Sequence, residues 1–358
     1  MNIQILDDKK IVFIQKQFFN DLANMENNLK SFMNGFKDYY LIINERGESY
    51  ESTAFGYSKF NNCLNKLGIT NRVFVFTESE TDMYLNFIKE FDWTPITYYG
   101  FLMTQDTGGE WDVQLHIPSW LFFKEPVKKE LPFIKKFLTF NRNYKLVTSH
   151  LGQYYIHPHR MDLYNFLKEN DLLNTSYASF KFIKEFDNNF GEEATDWEIT
   201  HELPFYLHEV KKEIWDDAFL HIVTESKIDS KCIIQDHFIE KYIEMDLDYM
   251  TEKTAKAVAS NMPFVIIGAS GLLKRLHKLG FKTFGDFWDE SYDDIEDYNE
   301  RLEKIKEIIK WVASKNLDEL KDIYNQMIPI FEHNKTILFG IKDKNKQEVL
   351  KHIPTYYN

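Results

Sequence analysis

Short apolar runs alternate with amphipathic stretches of helical period along most of the 358-residue chain. That alternation limits the available folds more than any other feature. "KIVFIQ" (10–15), "YYLIINE", "RVFVFTE" and the start of "WTPITYYGFLMTQD" have the length and β-branched or aromatic content of strands. Between them, residues 21–36 carry Leu22, Met25, Leu29 and Phe32 at helical spacing. "FGYSKFNNCLNKLGI" reads as a helix that stops at Gly68, and "ETDMYLNFIKEF" as another. After a Lys- and Pro-rich break the pattern resumes with "KKFLTFNRN", a helix over 159–173, "TSYASF", "FLHIVTES" and "DYMTEKTAKAVAS". "PFVIIG", "SGLLKRLHKLG", and amphipathic helices over 298–314 and 317–338 complete it. Acidic, Asn-rich "KEFDNNFGEEATDWE" reads as a loop. Strand-helix order of this kind predicts an α/β protein with parallel sheets, helices on their faces and ligands at the carboxyl ends of the strands.

The length favours more than one core. The break at "KEPVKKELPFIKK" predicts an α/β domain over 1–130 and a second over 131–316. Residues 317–358 are then expected to hold a last helix and a tail. With 31 Phe and 20 Tyr the chain can fill such cores. Its net charge is −13; residues 1–130 hold 13 Lys and Arg against 18 Asp and Glu, and the rest 30 against 38. Neither half is a polyanion binder by bulk charge. No apolar run reaches the length of a membrane span, and "MNIQILDDKK" lacks the order of a secretory leader. Two distant cysteines fit a reducing compartment, so a cytoplasmic location is expected.

Chemistry concentrates in a few places. There is no G-x-G-x-x-G and no G-K-[ST], which argues against dinucleotide and P-loop sites. "TEK" at 251–253 opens a helical pattern. A helix start favours Glu252 and disfavours Lys253 by its dipole, so Lys253 there suits a bound anion, or is simply solvated. Glu225 stands just after an apolar strand and can either bind sugar or ribose hydroxyls or cap the residues after it. Arg142, with Lys145 nearby, can grip a diphosphate in a bidentate way, or form a surface ion pair. "GASG" (268–271) permits close approach. "HPH" (157–159) has too little spacing information for a metal, and a structural or surface role is expected.

The segments "FLTFNRNYK", "FLHIVTES" and "DYMTEKTAKAVASNMPFVIIGASGLLKRLHKLGFKTFGDFWDESYD", with their spacing, resemble the donor-binding half of two-domain, nucleotide-sugar glycosyltransferases of tailed phages. They are distantly similar to α-1,3-fucosyltransferases. In that signature a Glu-x-Ser motif precedes Tyr-x-Thr-Glu-Lys; Tyr249, Thr251, Glu252 and Lys253 match, while "TES" lacks the usual Asn. The likeness covers roughly residues 138–293 and implies two Rossmann-like domains facing across a cleft, the GT-B arrangement. It also implies that Arg142 contacts the donor diphosphate, Glu225 orients sugar or ribose, Tyr249 lines the base or ribose pocket, Glu252 binds ribose and Lys253 neutralises phosphate. It implies too that the donor is a nucleoside-diphosphate sugar and that a last helix within 317–358 crosses back to the first domain; no metal or other cofactor is expected.

A general base is expected from the first domain, with Glu78 ahead of Asp106 in "MTQDTGGEW". Hydroxymethylated cytosine in phage DNA is one acceptor class, and a glycan or protein hydroxyl the other. The basic segments 124–136 and 274–278 could serve DNA or be solvated faces. No membrane partner is expected, and the chain is expected to be a monomer or small homo-oligomer. A non-enzymatic interaction protein is the competing class.

Overall fold

A computed structural model describes residues 3–8, 10–15, 24–33, 38–44, 56–68, 73–77, 82–97, 131–149, 152–155, 158–183, 194–199, 212–225, 228, 231–236, 241–246 and 252–354. The chain is an α/β protein whose described residues form two larger sheets, each containing four parallel strands, and a two-stranded hairpin. It divides into two compact units. Unit 1 comprises Met1–Leu115, Ser230–Tyr249 and Gly340–Asn358, and unit 2 comprises His116–Asp229 and Met250–Phe339.

Unit 1 is built on a sheet of order β1-β2-β3-β4-β5: Ile3–Leu6, Ile11–Gln15, Tyr40–Asn44, Val73–Thr77 and Thr94–Thr97. β1 is antiparallel to β2, and β2 to β5 are parallel. The parallel strands are laid down in sequence order. Right-handed crossovers that all step the same way put their helices on one face. Among the described residues three helices cover that face: α1 (Met25–Met33), α2 (Tyr57–Leu67) and α3 (Asp82–Lys89). Met25, Leu29, Tyr57, Phe60, Leu64, Phe87 and Ile88 pack there on Val12, Ile14, Leu41, Ile43, Val73 and Val75. Alternate residues point the other way. Ile11, Phe13, Ile42, Phe76 and Ile96 meet Val349 and Ile353 from the end of the chain. Both faces are therefore dry, which is why these strands read as continuous apolar runs.

Unit 2 has the order β13-β10-β6-β8-β9. These are Phe264–Ile267, Ala218–Thr224, Lys135–Ser149, Ser176–Ile183 and Ala194–Ile199. The first four are parallel, and β9 runs antiparallel to β8. β7 (Gly152–Tyr155) pairs with the far end of β6. The helices of this unit are α4 (Pro158–Glu169), α5 (Lys212–Asp216), α6 (Glu252–Ala259), α7 (Leu272–Leu279) and α8 (Tyr298–Ser314). The last helix, α9 (Leu317–His352), begins in unit 2 and ends in unit 1.

Four details differ from the sequence reading. The division falls at Leu115–His116 rather than at 130–131. The hairpin β11–β12 (Lys231–Asp236 and Lys241–Asp246) belongs to unit 1, where β12 lies against α3, although it interrupts the second unit in sequence. Part of the acidic stretch expected as a loop is β9, because an antiparallel edge strand needs only one apolar face. Finally, α9 continues past Leu338 to His352, carrying Pro329 inside it.

Candidate functional site

The strand order of unit 2 reverses beside β6. From β6 the chain crosses through α4 to β8 on one side. It later returns to place β10 on the other side of β6. Divergence of two crossovers from adjacent parallel strands leaves a crevice at their carboxyl ends, and open α/β sheets bind ligands in such a crevice. In the described part of unit 1 the strands keep sequence order, with no such reversal. The switch point thus selects the β6/β10 edge as the candidate site.

A buried polar chain occupies this edge. Thr139 donates its hydroxyl to the Ile222 carbonyl (2.9 Å), Asn141 donates to the Thr139 Oγ1 (2.9 Å), and Thr224 donates to the Asn141 Oδ1 (2.7 Å). Each of these three side chains is at most 3% exposed. They join β6 to β10 where the backbone ladder between them has ended, so the polar atoms are satisfied without water. Directly after Asn141 the register of β6 against β8 slips, so that Arg142 and Asn143 stand opposite the single residue Lys181. A bulge of this kind bends the strand and re-aims its residues next to a site.

Glu225 is the first residue beyond β10 and is 1% exposed. Three bonds fix it. Its amide donates to the Ile267 carbonyl (2.9 Å), its carbonyl accepts from His159 Nε2 (2.8 Å), and its Oε1 accepts from the Thr254 hydroxyl (2.6 Å). Since a carbonyl can only accept, the proton of His159 sits on Nε2. Thr254 lies in the first turn of α6, so the carboxylate anchors the start of that helix to the strand edge. A negative group near a helix start is electrostatically favourable. Through Thr254 the carboxylate is tied to the start of α6, a role that neither sequence reading of Glu225 named.

Gly268 explains how the carboxylate fits. A Cβ built there would lie 2.7 Å from Leu272 Cδ1 and 3.2 Å from Glu225 Cβ. The glycine of "GASG" thus admits a side chain of the protein itself. The helix behind that turn is also filled from within. Asp293 accepts from the amides of Leu273 and Lys274 (both 3.0 Å), and the Gly271 amide donates to the Asp293 carbonyl (2.8 Å). The start of α7 is therefore closed by an internal anion.

Lys253 stands next to Glu252 in the first turn of α6 and is half-buried. Further along, Lys256 is buried beside His221, which faces Leu138 across the sheet register. Burial and then the Lys256 charge push the His221 imidazole down to about 3, so it stays neutral at physiological pH. The rings of Phe140 and Trp215 meet it edge-on, at centroid distances of 5.8 and 5.4 Å.

The structure brings Glu225 and the Lys253 turn together through Thr254, and places Arg142 and Lys145 on the backbone of β6. The side chains of Arg142, Lys145 and Glu252 lie outside the described residues, as do Glu78, Asp106 and Tyr249 altogether. His159 is buried and braces Glu225, a structural role. The polar chain of Thr139, Asn141 and Thr224 escapes a reading of the sequence; its only trace there is polar residues at the ends of two apolar strands.

Away from the crevice, Glu290 locks the segment after α7. It accepts from the Thr283 hydroxyl (2.5 Å) and the Phe284 amide (2.8 Å), while His277 Nε2 donates to Thr283 Oγ1 (2.7 Å). Burial, offset by these donors, leaves the Glu290 carboxyl above its ordinary value. A folded-state value above the unfolded one means the folded protein holds the proton more tightly. The stability gained by protonation is present at low pH and is lost as pH rises through the folded value. Urea unfolding of wild type and Glu290→Gln from pH 4 to 8 is expected to show wild type losing ground to the variant as pH rises. A difference that stays flat, or slopes the other way, would contradict this assignment.

Among the described residues no group of three His, Cys, Asp or Glu side chains is placed to hold a metal ion, and no helix is long and apolar enough to cross a membrane. Comparison with protein-family models, with curated proteins and with solved structures returned no match.

Proposed function

We propose that the chain is a glycosyltransferase that takes a nucleoside-diphosphate sugar at the β6/β10 crevice of unit 2, in a GT-B-like pair of Rossmann-like domains. The carrying observation is the Glu225–Thr254 bond, which sets the first turn of α6, with Lys253, at the switch point of a parallel sheet. A diphosphate there would meet the positive end of the helix dipole and the Lys253 ammonium. Arg142, raised on the bulge of β6, supplies the second cation. Glu252 and Tyr249 take the ribose and base, and Lys145 adds charge on the β6 side. As the sugar leaves, charge grows on the diphosphate, and fixed cations stabilise it without reorganising. Acceptor activation falls to Glu78 or Asp106. The acceptor is a hydroxyl of hydroxymethylated cytosine in DNA, or of a glycan or protein.

A thermal-shift series with UDP-, GDP- and CMP-sugars tests the donor. A donor at about a hundred times its Kd adds roughly 2.7 kcal/mol to folding stability. One nucleotide class is expected to raise the melting temperature by several degrees. No shift with any class at millimolar concentration would remove the transferase reading and favour a non-enzymatic interaction protein.

A further inference from the structure

Arg301 lies on the core side of α8, among Leu302, Ile305, Ile308 and Ile309, and is 2% exposed. A buried guanidinium needs acceptors for its planar fan of donors. Arg301 finds them in backbone carbonyls. Nε donates to Gly268 (3.0 Å), Nη1 to Ile295 and to Glu296 (2.9 Å), and Nη2 to Ile228 (2.7 Å). These carbonyls belong to three segments that meet at the carboxyl edge of the sheet. Gly268 directly follows β13, Ile228 lies three residues beyond Glu225, and Ile295 and Glu296 lead into α8. Carbonyls in irregular segments have no ladder partner, and burying them unpaired is costly.

The two segments nearest the crevice both bear on Glu225. Gly268 is the residue whose missing side chain makes room for the Glu225 Cβ, and its neighbour Ile267 accepts the Glu225 amide. Ile228 lies on the stretch that leaves Glu225. One side chain therefore grips the backbone before the carboxylate's neighbour strand turns away and the backbone after the carboxylate itself. Glu225 in turn holds Thr254 and the start of α6.

We infer that Arg301 is the positioning residue of the donor site: it sets Glu225, and through Glu225 the first turn of α6 that receives the diphosphate. This rests on the donor reading above. Lysine cannot replace it, since one ammonium cannot reach carbonyls spread around a guanidinium plane.

Hydrogen exchange by mass spectrometry on the full-length chain separates the inference from the donor reading, because it needs no ligand. Arg301→Lys is expected to speed exchange in peptides covering residues 222–228 and 252–256 by about tenfold, the factor that one hydrogen bond to a charged group is worth. Ile308→Val trims the core on the same helix and is expected to leave those peptides unchanged. Calorimetric titration with UDP and GDP is then expected to show at least about tenfold weaker nucleotide binding in Arg301→Lys, and none of that loss in Ile308→Val. Unchanged exchange at both peptides overturns the inference. So does equal acceleration in the Ile308→Val control, or global unfolding of both Arg301→Lys and Arg301→Gln, which would make Arg301 a general determinant of folding. Locally faster exchange in a protein whose wild type binds neither nucleotide would uphold the positioning geometry and count against the donor reading alone.

Discussion

Lys253→Met is expected to cut sugar transfer at least ~10²-fold, the scale of one lost contact to a transition-state charge. The same substitution is expected to leave the unfolding free energy of the unliganded protein within about 1 kcal/mol of wild type. Lys253 sits half-buried in the first turn of α6, where the helix dipole opposes a cation. Methionine keeps much of the aliphatic stem and removes the charge, so the diphosphate loses its counter-charge. Urea melts of the free protein, run beside a transferase assay, decide the matter. Intact turnover with lowered stability would identify Lys253 as an ion-pair partner within the fold. The helix start would then be the wrong place for the donor.

The second large effect concerns stability. Val349 is fully buried at the end of α9, against Phe13, Ile42 and Phe76 on the face of the first sheet opposite α1 to α3. Val349→Asp places a carboxyl on that dry surface, and burying it is expected to cost about 4 kcal/mol or more. Burial would hold the new carboxyl above its ordinary value, so the loss should be largest at neutral pH and shrink as pH falls through the raised value. Denaturant unfolding tracked by Trp93 fluorescence, at pH 7 and pH 5, measures both. Trp93 is 3% exposed in the first unit's core, within ring contact of Tyr57 and Phe60. A loss below about 1 kcal/mol, the typical scale of a surface change, would mean that the end of α9 does not seal the sheet.

How much of this is legible in the sequence depends on range. The parallel strands of unit 1 read as apolar runs because both of their faces are dry, and strand pattern is a local property. The order of those strands is not local. Nothing in "KKFLTFNRN" or "FLHIVTES" says that these two pair, yet that pairing creates the switch point. Chain continuity assigns the hairpin at 231–246 to the wrong unit, since an excursion and a domain boundary look the same along one dimension. Glu225 stands out because a carboxylate directly after a buried strand is unusual. Its partner Thr254 does not, because a threonine inside a helical pattern carries no signal. Arg301 does leave a trace. It falls on the apolar stripe of its helix with Ile305 and Ile308, where an arginine must find acceptors, and which acceptors only the fold reveals.

The sheet of unit 1 also sets an order of events during synthesis. Its described strands lie within residues 3–97, so they leave the ribosome together. Val349 and Ile353, which cover the other face, follow only about 250 residues later. Over that interval of translation the nascent chain carries an apolar sheet face without this cover, the kind of surface that invites chaperones and self-association. A transcript that stops shortly before codon 349 would leave this face open. Its product is expected to partition into the insoluble fraction, whereas one ending after Ile353 should not.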